Sequence, residues 1–289
     1  MVDLANIQVL AAAIVLALLW TLEWAVPFLP SRQGRFKHAA RNITVGLFNS
    51  VILALLFAPG LFLLTDWTES NNFGLLHLVD LPLWASTVFA ILLQDAWMYV
   101  WHRANHRAAF LWRFHKVHHS DPEMDASTAV RFHTGEILIS AVLRLAVIAV
   151  LGLTLWQILL YDLLILPVIL FHHSNIRFPE KFDKPYRALF ASPAMHRIHH
   201  SPERIETDSN YSTIFSFWDR LARSFRLREK PVDVKYGLSE FTGTETEKFS
   251  VLAMMPFQSP VNGQKKESSK AKNDFSRFLE IGDSEKSNS

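Results

Sequence analysis

Histidine is the residue around which this chain is organised, because eight of its 13 histidines fall into three clusters at helical spacing. On an α-helix, residues three or four apart lie on one face about one turn from each other, close enough for two imidazoles to hold the same ion. Neutral imidazole is the commonest protein ligand for transition metals. The spacing therefore predicts a metal site built from His102 and His106, from His115, His118 and His119, and from the downstream cluster of His196, His199 and His200.

The chain contains no cysteine, which limits the kinds of metal site that it can build. Thiolate zinc sites, iron–sulfur clusters, disulfides and cysteine nucleophiles are excluded, so imidazole and carboxylate remain as ligands. A structural zinc ion takes four protein ligands and a catalytic one about three. Eight or nine imidazoles therefore fit two ions better than one, in a nitrogen-rich site unlike the Glu and Glu-x-x-His sets of soluble di-iron bundles.

Composition places these histidines in a membrane protein. Half of the 289 residues are apolar, with 22 Phe and 9 Trp, and the mean hydropathy is positive. Such values are high for a soluble domain. The net charge of +2 and the lack of a basic, aromatic surface pattern argue against a nucleic-acid partner.

Long apolar runs are the elements that must position the clusters, and they predict an all-α integral membrane helical bundle. We expect a retained anchor over residues 5–22, further spans over 43–65 and 81–101, and a transmembrane hairpin over 137–171 that turns near residues 152–157. No Lys or Arg precedes the first run, so it is unlike a cleaved signal peptide.

The charges of the loops predict the orientation of the bundle. Loop 31–42 contains four Lys or Arg residues, whereas loop 66–80 contains three acidic residues and no basic one. By the positive-inside rule, loop 31–42 is cytoplasmic. Every histidine cluster then falls on the cytoplasmic face, in a helical cap, together with the C-terminal tail. His38 and His77 lie outside the clusters, and we expect neither to affect the metals.

The same pattern divides the chain into three regions. Residues 1–80 are expected to form the N-terminal transmembrane anchor helices, and residues 81–240 the domain with the clusters and the hairpin. Residues 241–289 are polar, rich in Ser, Lys and Glu, and without hydrophobic periodicity. We expect them to form a tail without fixed structure.

Two residues near the clusters each admit two interpretations. Asp95 lies inside the span 81–101 on one face with His102 and His106, so its carboxylate could orient a ligand imidazole or bond to a packed helix. His133 could be a further ligand or could pair with Glu136.

The order of the motifs resembles that of the fatty acid hydroxylase superfamily, in particular its sterol desaturase branch. The motifs are WHRANH at the end of a span, HKVHHS, HHSNI after the hairpin, HRIHHS and NYSTIFSFWDR, and they cover roughly residues 85–225. The resemblance implies an integral-membrane non-haem oxidase with two iron ions and O2 as co-substrate. The ligands that it implies are His102, His106, His115, His118, His119, His173, His196, His199 and His200, with His133 and His172 as further candidates.

The reaction implied by the resemblance is hydroxylation or desaturation of a lipid substrate from the bilayer: a sterol, a fatty acyl chain, an ether lipid or a carotenoid. We expect an external electron donor, a reductase, ferredoxin or cytochrome, because the sequence has no Gly-x-Gly-x-x-Gly for a flavin or nicotinamide cofactor. Two alternatives would require other features. A membrane metal transporter should hold its ligands near the bilayer midplane, and a zinc hydrolase should carry His-Glu-x-x-His. Here the clusters lie at the ends of spans, and that motif does not occur.

Overall fold

A computed structural model describes residues 4–30, 34–229, 233–238, 240–241 and 247–258. Within these residues the fold is all-α, which confirms the predicted fold class, and it contains twelve α-helices. In chain order they are α1 (Leu4–Ala25), α2 (Arg35–Leu56), α3 (Ala58–Ser70), α4 (Leu83–Arg107), α5 (Ala109–His119), α6 (Thr134–Leu151), α7 (Leu155–His173), α8 (Glu180–Leu189), α9 (Pro193–His199), α10 (Arg204–Thr207), α11 (Phe217–Leu221) and α12 (Phe249–Met254).

Four of these helices, α2, α4, α6 and α7, are long and apolar enough to cross a membrane. The apolar part of α1, Leu10–Ala25, is shorter than these four. It packs along α7, where Leu19 is buried in one cluster with Leu170. The amide of Gln8 donates a hydrogen bond to the carbonyl oxygen of Leu159 (2.7 Å). The first helix is thus held against the helix that carries His172 and His173.

The span expected over residues 43–65 has different boundaries in the structure. Helix α2 begins at Arg35, so much of the basic segment 31–42 is helix rather than loop. A new helix, α3, begins at Ala58 with Pro59 in its first turn. Proline has no N–H to donate to the preceding turn but fits the first turn of a helix, which accounts for the division at this point.

The turn between α6 and α7 lies at the end of the bundle away from the histidine clusters. Gly152 (φ +70°) ends α6 and lies against Gly74 (φ +114°) of the loop after α3. A Cβ atom on Gly74 would come within 2.3 Å of the backbone of Gly152, so both the conformation and the close approach require glycine there. His77 contacts the carbonyl oxygen of Gly152 through Nε2 (3.1 Å).

Short elements close the opposite end. A 3₁₀ turn, Ala126–Val130, begins at Asp125, whose carboxylate accepts a hydrogen bond from the N–H of Ser127 (2.8 Å) in a capping box. Helix α9 begins with Pro193 directly after the N-cap residue Ser192, and it packs against α7. Helix α7 thus packs against both the 3₁₀ turn and α9 at this end.

Part of the segment expected to lack fixed structure is folded. Within residues 247–258, α12 and the 3₁₀ turn Met255–Phe257 bury Leu252 and Met255 against Val117 of α5. The expectation for residues 241–289 is therefore wrong for this stretch, because its local apolar run, VLAMMPF, finds an apolar surface to cover. Residues 259–289 lie outside the described part of the chain.

Candidate metal centre

The histidine clusters of the sequence combine into two groups in space. The first group takes imidazoles from the end of α4, from one face of α5 and from α9. Its ligand atoms all lie within 4.8 Å of one another. Four of the five side chains are buried. The members are His102, His106, His115, His119 and His199.

The second group joins α5, α7 and α9 and contains four buried histidines, His118, His173, His196 and His200. The Nε2 atom of His173 lies 3.1 Å from that of His118 and 2.9 Å from that of His196, which is 3.2 Å from that of His200. Two nitrogens bound at right angles to one ion, with bonds of about 2.1 Å as in zinc sites, lie about 3 Å apart. The spacing of these atoms is thus that of ligands around a common ion.

Hydrogen bonds fix several rings of the first group and leave one nitrogen of each free. The Nδ1 atoms of His102 and His199 contact the carbonyl oxygens of Tyr211 (2.9 Å) and Ser209 (2.7 Å), and Nδ1 of His115 contacts Oε1 of Glu136 (2.8 Å). Their Nε2 atoms are buried without a hydrogen-bond partner in the described structure, as are both ring nitrogens of His106 and His119. Buried polar atoms are normally paired. A metal ion would satisfy these lone pairs, so the residues fit that role.

The protonation state of the clusters also favours metal binding. Burial, together with the neighbouring imidazoles, lowers the pKa of His118, His119, His196, His199 and His200 well below the usual value. A histidine must be neutral to ligate a metal. These rings are therefore neutral, and competent as ligands, at neutral pH.

The two further candidate ligands have different surroundings. The ring of His172 stacks on that of His196, with centroids 4.0 Å apart, but His172 belongs to neither group. His133 caps helix α6, accepting a hydrogen bond at Nδ1 from the N–H of Gly135 (2.9 Å), and its Nε2 contacts the carbonyl oxygen of Ala253 (3.1 Å). Of the two alternatives for His133, the pairing with Glu136 does not occur in the structure, because Glu136 is bonded to His115.

Asp95 contacts the segment before α11 instead of a ligand histidine. Its carboxylate accepts hydrogen bonds from the backbone N–H groups of Ile214 (3.1 Å) and Phe215 (3.0 Å), from the indole of Trp218 (2.9 Å) and from the hydroxyl of Tyr161 (3.1 Å). The interpretation in which Asp95 orients an imidazole directly is therefore corrected. Its buried carboxylate ties α4 to the segment that supplies the carbonyl of Tyr211.

A buried polar network behind His118 and His119 was missed by the sequence analysis. His38 was expected to have no effect on the metals. Its ring lies between Asp121 (Nε2 to Oδ1, 2.7 Å) and Asp125 (Nδ1 to Oδ2, 3.0 Å). Arg131 donates to the carbonyl oxygen of Val117 (3.1 Å) and to the hydroxyl of Ser120 (3.1 Å). Burial alone would raise the pKa of Asp121, but His38 and Arg131 outweigh it and hold that pKa well below its usual value. The available signal was the three acidic residues that follow the second cluster in SDPEMD, two of which, Asp121 and Asp125, contact His38.

A mostly apolar cavity of about 180 Å³ lies beside both groups. Imidazoles of both groups form one wall, including His102, His118 and His173. The opposite walls come from α4, α6 and α7, through Met98, Ile137, Ile165 and Ile169. The arrangement can hold an apolar chain next to the two histidine groups.

Comparison with known proteins finds similarity to the fatty acid hydroxylase family and to several named relatives. A family model described as fatty acid hydroxylase matches residues 87–224, which include both groups. An ornithine lipid hydroxylase of Rhizobium tropici is 27% identical over 176 residues, covering 61% of this chain and 51% of that protein. An alkylglycerol monooxygenase of Caenorhabditis elegans is 28% identical over 233 residues, which cover 75% of this chain and 42% of that protein. A human cholesterol 25-hydroxylase is 24% identical over 147 residues, which cover 50% of this chain and 52% of that protein. The chain thus spans about half the length of these relatives, and no solved structure matches it.

Proposed function

This chain belongs to the fatty acid hydroxylase superfamily, and from that premise we propose that it is a membrane-bound non-haem di-iron oxidase that hydroxylates or desaturates a lipid. The observation that carries the proposal is the division of nine histidines into groups of five and four. Each group supplies enough nitrogen ligands for one ion with a coordination position left open. The ligands proposed are the members of the two groups.

Bound iron would supply the reduction of O2 by four electrons, two from the external donor and two from the lipid, with two protons taken up. Hydroxylation would give the alcohol and one water, and desaturation would give the alkene and two waters. The residues of the chain have separate tasks. Glu136 holds the ring of His115, and the carbonyl oxygens of Tyr211, Ser209 and Ile169 hold those of His102, His199 and His173. Such partners orient a ligand and fix the nitrogen that it presents.

The substrate is proposed to be a lipid that enters the cavity from the bilayer. Named relatives act on an ornithine lipid, an alkylglycerol and cholesterol, which share long apolar parts. The apolar walls of the cavity, Met98, Ile137, Ile165 and Ile169, would bind such a part and exclude water.

We further propose a multi-pass membrane protein whose histidine groups face the cytoplasm, where a separate reductase, ferredoxin or cytochrome supplies the electrons. The basic residues at the start of α2 support this orientation. The grouped histidines lie on the short helices α5 and α9 and at the C-terminal ends of α4 and α7, which supports a metal site at one end of the bundle.

The test is to purify the full chain in detergent, measure its metals, and supply ¹⁸O2 with a reduced ferredoxin system and a total lipid extract. We expect iron, O2 consumption, and a lipid product that carries ¹⁸O if the reaction is hydroxylation or has lost two hydrogens if it is desaturation. His118→Ala is the inactive control. A protein that binds zinc and releases fatty acids, or one that binds iron and consumes no O2 with any lipid fraction, would refute the proposal.

A further inference from the structure

An ion pair lies between the two helices that follow the histidine groups into the membrane region. Nη2 of Arg144 on α6 donates to Oδ1 of Asp162 on α7 at 2.6 Å. Both belong to apolar helices that are candidate spans. Ionisable groups at such depth are costly and usually mark a polar site or pathway. Neither Arg144 nor Asp162 is fully buried, since each side chain is 34% exposed.

The pair lies near the middle of α6. Arg144 is eight residues from Glu136, which bonds to His115, and eight residues from Gly152 at the far turn. Eight helical residues correspond to about 12 Å along the axis. Arg144 therefore lies about 12 Å along α6 from Glu136, whose side chain reaches the first histidine group.

The exposed side of the pair faces a groove of about 440 Å³ between α1, α2, α3, α6 and α7. Its walls are largely apolar, with Leu53, Phe57 and Leu145 among them, and Arg144 and Asp162 are the charged residues that line it. The groove shares Ile137 and Ser140 of α6 with the cavity beside the histidines. The groove and the cavity are thus neighbours along α6, with these two residues lining both.

The pair has unused hydrogen-bonding capacity. Within the described part of the chain, its hydrogen bond joins Nη2 to Oδ1, and Nε and Nη1 of Arg144 and Oδ2 of Asp162 have no partner. The pair as a whole is neutral. A charged ligand would add an uncompensated charge at this depth, whereas a hydroxyl could accept from the guanidinium and donate to the carboxylate.

We propose that this groove binds a lipid through an uncharged hydroxyl at Arg144 and Asp162, with the apolar chain running along α6 into the cavity. Given the proposed function, on which this part rests, the carbon that is oxidised lies about 12 Å from that hydroxyl. Because an extended chain advances about 3.5 Å for every three bonds, this distance corresponds to roughly ten bonds. The substrate class is therefore a neutral, hydroxyl-bearing lipid with a long apolar part.

The experiment uses photolabelling and needs no turnover. The full chain in lipid nanodiscs is labelled with hexadecanol that carries a diazirine beside the hydroxyl end, and separately with hexadecane that carries a terminal diazirine. Labelled residues are identified by mass spectrometry. We expect the alcohol to label residues of the groove, such as Leu53 and Leu145, several-fold more than the alkane does.

The deciding variant is the double substitution Arg144→Leu with Asp162→Leu, because replacing one partner alone would leave an unpaired charge. It should remove the preference for the alcohol while metal content and thermal stability are retained. Val142→Leu, at an exposed position of α6, is the matched control and should keep the preference. Equal labelling by the two probes, or a preference that survives in the double variant, would mean that the pair only joins two helices.

The outcome is separable from that of the proposed function. Oxidation of lipids without hydroxyl-dependent labelling would support the proposed oxidase function and refute lipid binding in the groove. Hydroxyl-dependent labelling that is lost in the double variant would support lipid binding in the groove, whether or not the protein oxidises a lipid.

Discussion

The imidazole Nε2 of His38 on α2 lies 2.7 Å from a carboxylate oxygen of Asp121, two residues beyond His119. Both side chains are buried. Because Asp125 contacts the other ring nitrogen, and an ionised carboxylate can only accept, both nitrogens of His38 carry hydrogen and the ring is an imidazolium. An N-terminal helix is therefore bonded to the turn that follows two proposed metal ligands, His118 and His119.

Replacing His38 by Ala should destabilise the protein and reduce its metal content. The substitution leaves two buried carboxylates without their cation, and breaking a buried pair in this way costs about 3 to 5 kcal/mol. Thermal unfolding in detergent and iron per protein measure the effect. His77→Ala, at the far end of the bundle, is the control and should keep its iron. If both variants behaved alike, His38 would have no positioning role.

Replacing single ligands should remove one ion at a time. His199→Ala affects the first group and His118→Ala the second. Each should lower the iron content and abolish turnover, because both ions are needed for the proposed reaction. The membrane helices should remain inserted. His106→Ala, in the same group as His199, should behave like His199→Ala. His133→Ala removes a helix cap at a cost of about 1 kcal/mol and should retain iron. Full activity in His118→Ala or His199→Ala would contradict the two-group arrangement.

Glu136→Gln tests the partner of His115. The amide keeps the size of the side chain but removes the charge that holds the imidazole, so metal affinity or activity should fall by about 10 to 100-fold. Competition with a chelator measures the affinity. Glu180→Gln, which loses an exposed ion pair with Arg187, is the matched substitution and should leave the affinity unchanged. Identical chelator curves for the two variants would argue against the role of Glu136.

Asp95→Asn should reduce stability more than metal affinity. The carboxylate accepts hydrogen bonds from two backbone N–H groups and an indole, and an amide nitrogen would face one of these donors. Hydrogen bonds to a charged group contribute about 1.5 to 3 kcal/mol each. Thermal unfolding and iron content, measured on one preparation, separate the effects. Loss of iron at unchanged stability would restore the direct role first expected of Asp95.

The orientation in the membrane can be tested with single cysteines, because the chain contains none of its own. Ser70→Cys lies near the end of α3 and Lys181→Cys near the start of α8, both at exposed positions. We expect an impermeant thiol reagent to label Lys181→Cys from the cytoplasmic side and Ser70→Cys from the opposite side. The unsubstituted chain gives the background. Labelling of both positions from one side would refute the proposed topology.

The sequence alone determined which residues could form the metal site. Histidines three and four apart on a helix share a face whatever the rest of the fold does, so His102 and His106, or His115 and His119, were identifiable from local geometry. Apolar run lengths similarly predicted membrane helices. Both signals depend on neighbours within a few turns of the same helix.

Only the tertiary structure decided how the histidines divide. His118 and His119 are adjacent in sequence but belong to different groups, because successive residues on a helix point about 100° apart and face different neighbours. His115 joins His199, whereas His118 joins His173 and His196. Those partners are distant in the chain, and helix packing brings them together.

The same reason explains the errors at Asp95 and His38. Each was interpreted through residues nearby in sequence, yet Asp95 bonds to Ile214 and Phe215, and His38 bonds to Asp121. The spacing along one helix fixes which side chains share a face. The partner that a buried charge meets across that face depends on which distant segment packs there, and no local pattern encodes it.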